Sequence, residues 1–453
     1  MGAGGAAPER VVALRVLARV RGGAYADRAL AGEARRAGLE GRDRARAHRL
    51  AYGAVQRART LDWVVDEFLD RPAALEDGVR DVLRLGAYEL LYSGGAADAA
   101  VVDQAVRLAR GLPGAPRRAD ARAGLVNAVL RRVATDGRSM LGGLGDATAT
   151  EAALAHSTPD WIAERLFAAL GPDRARGVLR AANEPAESAI RWNPLRGPRA
   201  PLEAELPAAR HGDPLLPEAY VLEEPFALED SAAWADGRAI AQSRASMIPA
   251  RVLDPQPGER ILDLCAAPGA KATHIAALAE NQAEVVAVEL RPARAEALRQ
   301  LARRLGARVE VVEGDAREVP LDGPFDAALV DPPCTGLGVL SARPDARWRR
   351  REEALPALAG LQRGLLARAL AAVRPDGRVV YSTCTLLPEE NEDVVAATGA
   401  QVEPIGGDLA AAYGHPAVPG ALLTLPGRDG TDGFFVARLR PGGGATAAPD
   451  GVG

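Results

Sequence analysis

Residues 260–271 read "RILDLCAAPGAK". A short, mostly apolar run ends at a cysteine. A turn of small residues with one proline and one glycine then leads into "ATHIAAL", whose composition suits a helix. A strand that stops at a tight turn and gives way to a helix is the opening unit of a parallel α/β sheet. Further runs of this kind follow: "EVVAVEL" (284–290), "RVEVVEG" (308–314), "FDAALVD" (325–331) and "GRVVYST" (377–383), with helical stretches between them. Nearly continuous apolar strands are buried on both faces, which predicts a doubly wound, mostly parallel, Rossmann-like α/β sheet over 236–440. "GFFVARLR" (433–440) is expected to add an edge strand.

Outward from this core, residues 1–140 read as a separate all-helical domain. Val126, Val129, Leu130 and Val133 recur at helical spacing, as do Val102, Ala105, Val106 and Ala109, and Leu83, Ala87, Leu90 and Leu91. Residues 141–235 are expected to form a small connecting α/β subdomain. It starts helically at "HSTPDWIAERL" (156–166), where Ser157 or Thr158 could cap and Pro159 suits the first turn. It continues through a proline-rich stretch over 191–220. Residues 441–453, "PGGGATAAPDGVG", read as a flexible tail.

Composition narrows the function. No apolar run approaches the roughly 18 residues of a membrane span, and the first residues lack the features of a signal peptide. Only three cysteines occur, Cys265, Cys334 and Cys384, which argues against a disulfide scaffold and suits a cytoplasmic protein. No metal site is expected. Residues 1–140 carry 24 arginines against 17 acidic residues, a net +7, which leaves −11 of the total −4 for the remainder. A basic module joined to an acidic one suggests a polyanion as partner for the first. Of 56 basic residues one alone is lysine, Lys271.

In an open parallel sheet, ligands bind beyond the carboxyl ends of the strands. The candidate strands end in the turn Cys265, Ala266, Ala267, Pro268, Gly269, Ala270, Lys271, and then at Glu289, Asp315, Asp331 and Cys384. A single turn glycine argues against a dinucleotide pyrophosphate. Glu289 is placed to hold ribose hydroxyls, and Asp315 can accept from an adenine amino group. S-adenosylmethionine is the cofactor that fits.

The cysteines suggest what is methylated. Carbon 5 of a pyrimidine becomes nucleophilic once a thiolate adds to carbon 6. That addition needs a proton or hydrogen bond at ring nitrogen 3, and a base must afterwards remove the carbon 5 proton. One cysteine, one acid and one base suffice, and Cys384, Asp331 and Cys334 supply them. Spacing does not say which cysteine attacks. Cys265 reads as part of the cofactor turn.

The stretches "LDLCAAPGAKATHIAAL" (262–278), "VDPPCTGLGVLSARPDARWRR" (330–350), "LQRGLLARAL" (361–370), "YSTCTLLPEENEDVV" (381–395) and "DGFFVARL" (432–439) resemble the RNA 5-methylcytosine methyltransferases of the RsmB/Nop2/Sun family. The helical domain, with "GLVNAVLRR" (124–132), resembles the RNA-binding fold of the antitermination factor NusB. The resemblance implies a cytosine-5 methyltransferase of small-subunit rRNA, with Cys384 as nucleophile and Cys334 assisting release. Ala270 and Ala272 stand where the family usually has Gly and Thr, and "QSRAS" (242–246) stands where it has Gln-Asp.

Arg343, Arg347, Trp348, Arg349, Arg350 and Arg351 follow the Asp-Pro-Pro-Cys loop and are candidates for RNA contact through phosphate pairing and base stacking. Lys271 is expected to act on the cytosine ring or to orient Asp331. RNA is the expected partner, with no membrane and no obligate protein partner. Two other readings remain: a tRNA cytosine-5 methyltransferase, and an inactive RNA-binding or antitermination-type assembly factor.

Overall fold

The computed structural model describes residues 5–224 and 226–441. The tail expected over 441–453 lies, apart from Pro441, outside them. The chain divides into two compact units, residues 1–185 with 340–352, and residues 186–339 with 353–453. The stretch expected as one connecting subdomain, 141–235, spans that division.

The first unit is helical. Its long helices are Pro8–Arg21, Ala26–Ala37, Gly41–Gln56, Asp77–Tyr88, Asp98–Arg110 and Pro116–Gly142. Val126, Val129, Leu130 and Val133 are all buried in one apolar core with Leu83, Ala87 and Leu90, as their spacing requires. Three shorter helices follow, Ala149–Ala155, Asp160–Leu170 and Pro172–Ala181. The first has a reciprocal cap, in which the Thr148 hydroxyl accepts from Glu151 N–H and the Glu151 carboxylate accepts from Thr148 N–H. The second does not use the expected cap. Ser157 Oγ accepts instead from Arg59 N–H at 3.0 Å, so it satisfies the start of the helix Ala58–Asp66.

The second unit holds two sheets. The smaller is antiparallel, with strands β1 (Ala189–Trp192), β2 (Arg210–Gly212), β3 (Ala219–Leu222) and β4 (Ala239–Ala241) in the order β2-β3-β1-β4. The larger has β5 (Arg260–Leu264), β6 (Glu284–Glu289), β7 (Val309–Glu313), β8 (Phe325–Val330), β9 (Val373–Thr383), β10 (Gln401–Glu403), β11 (Leu422–Thr424) and β12 (Phe434–Arg440). Its order is β10-β12-β9-β8-β5-β6-β7, with β11 also paired to β12. Strands β7, β6, β5, β8 and β9 are parallel, as their two-sided apolar runs require.

One expectation is corrected here. "GFFVARLR" is not an edge strand: β12 runs antiparallel to β9 and is flanked on its other side by β10 and β11. Its burial agrees, since Phe434, Phe435, Val436, Ala437 and Leu439 are all buried.

The chain moves from β5 outward through β6 to β7, then returns to place β8 on the other side of β5. Such a reversal opens a crevice at the carboxyl ends of the two central strands. Register brings the strand ends level there: Leu264 pairs with Val288 and with Val330, and Val330 with Tyr381. Cys265, Glu289, Asp331 and Ser382 are therefore the next residues along four adjacent strands.

Candidate active site

The turn after β5 is built for close packing. Cys265 has φ 70° and Gly269 has φ 108°, both left-handed. At that φ any L side chain is strained, and a β-carbon on Gly269 would also push aside Leu298 Cδ1, 2.1 Å away on the helix Pro292–Leu305. Arg294 of that helix donates to the Ala267 carbonyl. From the small sheet, the buried Arg191 donates to Ala270 O at 3.0 Å and to Thr273 Oγ1 at 3.2 Å. Those bonds pin the first turn of the helix Ala270–Leu278, which carries Lys271.

Asp331 leaves β8 with a partner on each oxygen. Lys271 Nζ lies 2.6 Å from Oδ2, and Ser382 Oγ donates to Oδ1 at 3.3 Å. The ammonium also stands 5.1 Å from the centre of the Phe434 ring. Burial works to discharge Lys271, but the attraction of Asp331 outweighs it and holds the pKa above its ordinary value.

The two motif cysteines meet, with Cys334 Sγ 3.2 Å from Cys384 Sγ. Cys334 is buried and Cys384 half-buried. The hydrogen bond with Cys384, and then burial, push the Cys334 thiol well above its usual range. Cys265 is different again: burial, then the charges of Asp263, Asp331 and Glu289, push its thiol up to about 12. It suits a packed turn residue, and no nucleophile.

The loop 331–339 is fastened to its surroundings by backbone. Gly338 N–H donates to Cys384 O at 2.9 Å, and Gly433 N–H donates to Gly338 O at 2.8 Å. A β-carbon on Gly338 would stand 2.0 Å from the Gly433 carbonyl oxygen. A side chain at Gly338 would therefore lift the cysteine loop off the start of β12.

The remaining rim suits an adenosyl group. Glu289, Asp315 and Asp331 place carboxylates beyond three strands of the parallel sheet. Glu289 is buried and accepts from Arg291 N–H at 3.0 Å. Asp315 is held ionised, its pKa lowered to about 2 by hydrogen bonds from Arg317. Three basic groups at the turn, Lys271, Arg294 and Arg191, are already bonded to Asp331, Ala267 O and Ala270 O. Such a donor set would repel a pyrophosphate and accept ribose hydroxyls, an amino group and a sulfonium.

The arginine run behaves differently from expectation. Residues 340–352 belong to the first unit. Arg347 is 0% exposed and donates to the carbonyls of Gln56, Ser157 and Ala182 and to Asn183 Oδ1. It is an internal staple, and its candidacy for RNA contact is withdrawn. Trp348 is half-buried with its indole N–H on Val55 O at 2.7 Å, and Arg349 is paired to Asp345 over the Tyr25 ring. Arg343 and Arg351 are exposed and Arg350 is half-buried.

Sequence reasoning gave no role to Arg191, Ser382, Gln362, Glu390 or Phe434. Four of them, Ser382, Gln362, Glu390 and Phe434, lie inside the quoted motifs, where nothing local marks them out. Phe434 opens β12 and was read only as strand. Arg191 has no local signal, because its partners are about 80 residues away.

Residues 250–440 match the family model described as 16S rRNA methyltransferase RsmB/F, and residues 7–135 match the NusB family. A curated relative from Bacillus subtilis, a probable ribosomal RNA small subunit methyltransferase B, is 31% identical, covering 87% of this chain and 90% of its own. The crystal structure of PH0851 is similar at 25% identity with a TM-score of 0.78, covering 96% of this chain and 99% of that one. NSun6 from Pyrococcus horikoshii, solved with the S-adenosylmethionine analogue SFG, is 26% identical with a TM-score of 0.56, covering 62% of this chain and 98% of that one.

Proposed function

The chain belongs to the RsmB/F family of 16S rRNA methyltransferases and is an S-adenosylmethionine-dependent enzyme, and from that premise we propose that it methylates carbon 5 of a cytosine in small-subunit rRNA through a covalent bond to Cys384. The observation that carries this reading is the pair of sulfurs 3.2 Å apart beside the Lys271–Asp331 ion pair. A methyltransferase that attacks directly from oxygen or nitrogen has no use for two adjoining thiols.

The residues divide the work as follows. The more exposed Cys384 adds as thiolate to carbon 6, and the ring electrons move toward nitrogen 3, which takes a proton or hydrogen bond from the Lys271–Asp331 pair. Bound S-adenosylmethionine supplies an electrophilic methyl group for the carbon 5 so activated. Glu289 would hold its ribose, Asp315 its adenine amino group, and the turn 265–271 its edge. Once Cys384 is a thioether, the charge next to Cys334 is gone, so Cys334 gives up its proton to water more readily. Its thiolate then removes the carbon 5 proton. The C–H electron pair restores the ring double bond, and Cys384 departs as thiolate.

A target base must leave its stack to reach Cys384, so an unpaired or flippable cytosine is the expected substrate. The basic residues of the first unit support a role in holding the RNA. Bisulfite sequencing of rRNA and tRNA from cells with and without the gene tests the reading. Loss of one 5-methylcytosine from small-subunit rRNA is expected. Loss from tRNA instead would move the substrate, and no loss at all would leave an inactive assembly factor.

A further inference from the structure

Each catalytic cysteine is followed by a threonine, and the two Cys-Thr pairs lie side by side. Besides the sulfur contact, Thr335 Oγ1 and Thr385 Oγ1 are 2.6 Å apart. Glu390, fully buried, serves Thr335 with both carboxylate oxygens: Oε1 accepts from Thr335 N–H at 2.8 Å and Oε2 from the Thr335 hydroxyl. Gln362 donates to the same Oε1 at 3.0 Å and to Pro333 O at 2.9 Å. The Tyr381 hydroxyl donates to the main-chain carbonyl of Glu390 at 2.6 Å. Cys334 is therefore held through both its neighbours.

A buried carboxylate is costly unless several donors converge on it. Among the described residues no basic side chain pairs with Glu390, and its side chain takes three donors, all of them from Thr335 and Gln362. An acceptor-only group is the one that matches three donors. Its bonds run to the Cys334 peptide and none to the catalytic acid or the cofactor turn. We infer that Glu390 is a positioning residue for product release, holding Cys334 where it can reach the carbon 5 proton while Cys384 is still bonded to carbon 6. This deepens the covalent route proposed above and rests on it.

The step it serves balances without a further reactant. The Cys334 thiolate gains the carbon 5 proton, the carbon 5–carbon 6 double bond forms, the carbon 6–sulfur bond breaks, and Cys384 leaves with that electron pair. Moving Cys334 by a fraction of an ångström should slow this step and leave the preceding addition alone.

Single-turnover reactions with labelled RNA, resolved on denaturing gels, report how fast the Cys384 adduct appears and how fast it decays. Glu390→Ala should leave appearance near normal and slow decay at least about tenfold. Glu390→Gln keeps an oxygen for Thr335 N–H and should restore decay to within about threefold. Thr335→Val, which removes only hydroxyl bonds, decides the matter if Glu390→Ala fails to fold, and should slow decay alone. Equal slowing of appearance and decay in these variants would reduce Glu390 to general support and overturn the inference. Unchanged decay would overturn it as well. Cys334→Ala runs beside them: if it traps an adduct while Glu390→Ala and Thr335→Val do not, the inference fails alone. If it traps none, the covalent-release reading fails and the inference goes with it.

Discussion

Lys271 Nζ stands 2.6 Å from Asp331 Oδ2, and the same ammonium faces the Phe434 ring at 5.1 Å. The space between a carboxylate and an aromatic face is therefore filled by a compact cation. A guanidinium is broad and planar, and would spread its charge over a wider span than this ammonium does. Every other basic side chain in the sequence is arginine, so the one lysine is the residue that holds Asp331.

Lys271→Arg is accordingly expected to lower single-turnover methylation at least about tenfold, or roughly 1.4 kcal/mol of transition-state stabilisation. Binding of S-adenosylmethionine, measured by calorimetry, should change far less. Near-normal methylation by the variant would show that charge alone is needed.

The two cysteines should separate on a gel. Cys334→Ala is expected to accumulate protein bonded to RNA through Cys384, because addition proceeds and release does not. Cys384→Ala should give neither product nor band. A trapped band with Cys384→Ala in place of Cys334→Ala would reverse the roles, against the burial and the raised thiol of Cys334.

Acid should weaken the second unit through His274. This imidazole is buried, and burial, then the nearby Arg191, lowers its pKa to about 4. In the unfolded chain it takes a proton near pH 6.5, which the folded chain refuses. Stability is therefore lost as pH falls from about 6.5 toward 4, by up to about 3 kcal/mol. Glu218, 2.8 Å from His274, acts in the same sense at lower pH. Its burial is outweighed by the adjoining His274 and by hydrogen bonds from Arg251, which hold its pKa below the carboxylate range, so its contribution is lost on protonation. Urea titrations at pH 7 and pH 5 should show the loss, and His274→Gln should flatten it. A His274→Gln variant as acid-sensitive as the parent would assign the effect elsewhere.

Arg347 predicts a loss of stability rather than of RNA affinity. Its cation has no carboxylate partner among its hydrogen bonds, and burial lowers its pKa to about 9. Arg347→Met removes the cost of burying a charge but leaves three carbonyls and Asn183 Oδ1 without that donor. Each such loss costs about 1–3 kcal/mol, so a net destabilisation of about 2–4 kcal/mol is expected by thermal or urea unfolding. Unchanged stability with weakened RNA binding would return Arg347 to the RNA-contacting set.

The catalytic sheet was legible because its strands are two-sided and apolar, and each ends at a residue too polar or reactive to be filler. Asp331, Cys334 and Cys384 stood out by their chemistry, and Lys271 by being the one lysine among 56 basic residues. Glu390 and Arg191 did not, since a buried charge in sequence looks like a surface one until its partners fold against it. Arg347 failed for the same reason: a run of arginines reads as solvated or nucleic-acid-facing, and nothing local marks the one that turns inward. Ser157 sat next to a helix start, yet its hydroxyl serves a helix about 100 residues earlier.

The return of residues 340–352 to the first unit has a consequence for synthesis on the ribosome. The carbonyls of Gln56, Ser157 and Ala182 receive their guanidinium from a residue made some 165 to 291 positions later. The amino-terminal unit therefore emerges with its interior unfinished. Until Arg347 is made, while β1 to β8 are translated, those three carbonyls lack this donor. At about 5–20 residues per second that delay lasts on the order of ten seconds or more. No single cut in the gene yields two complete halves.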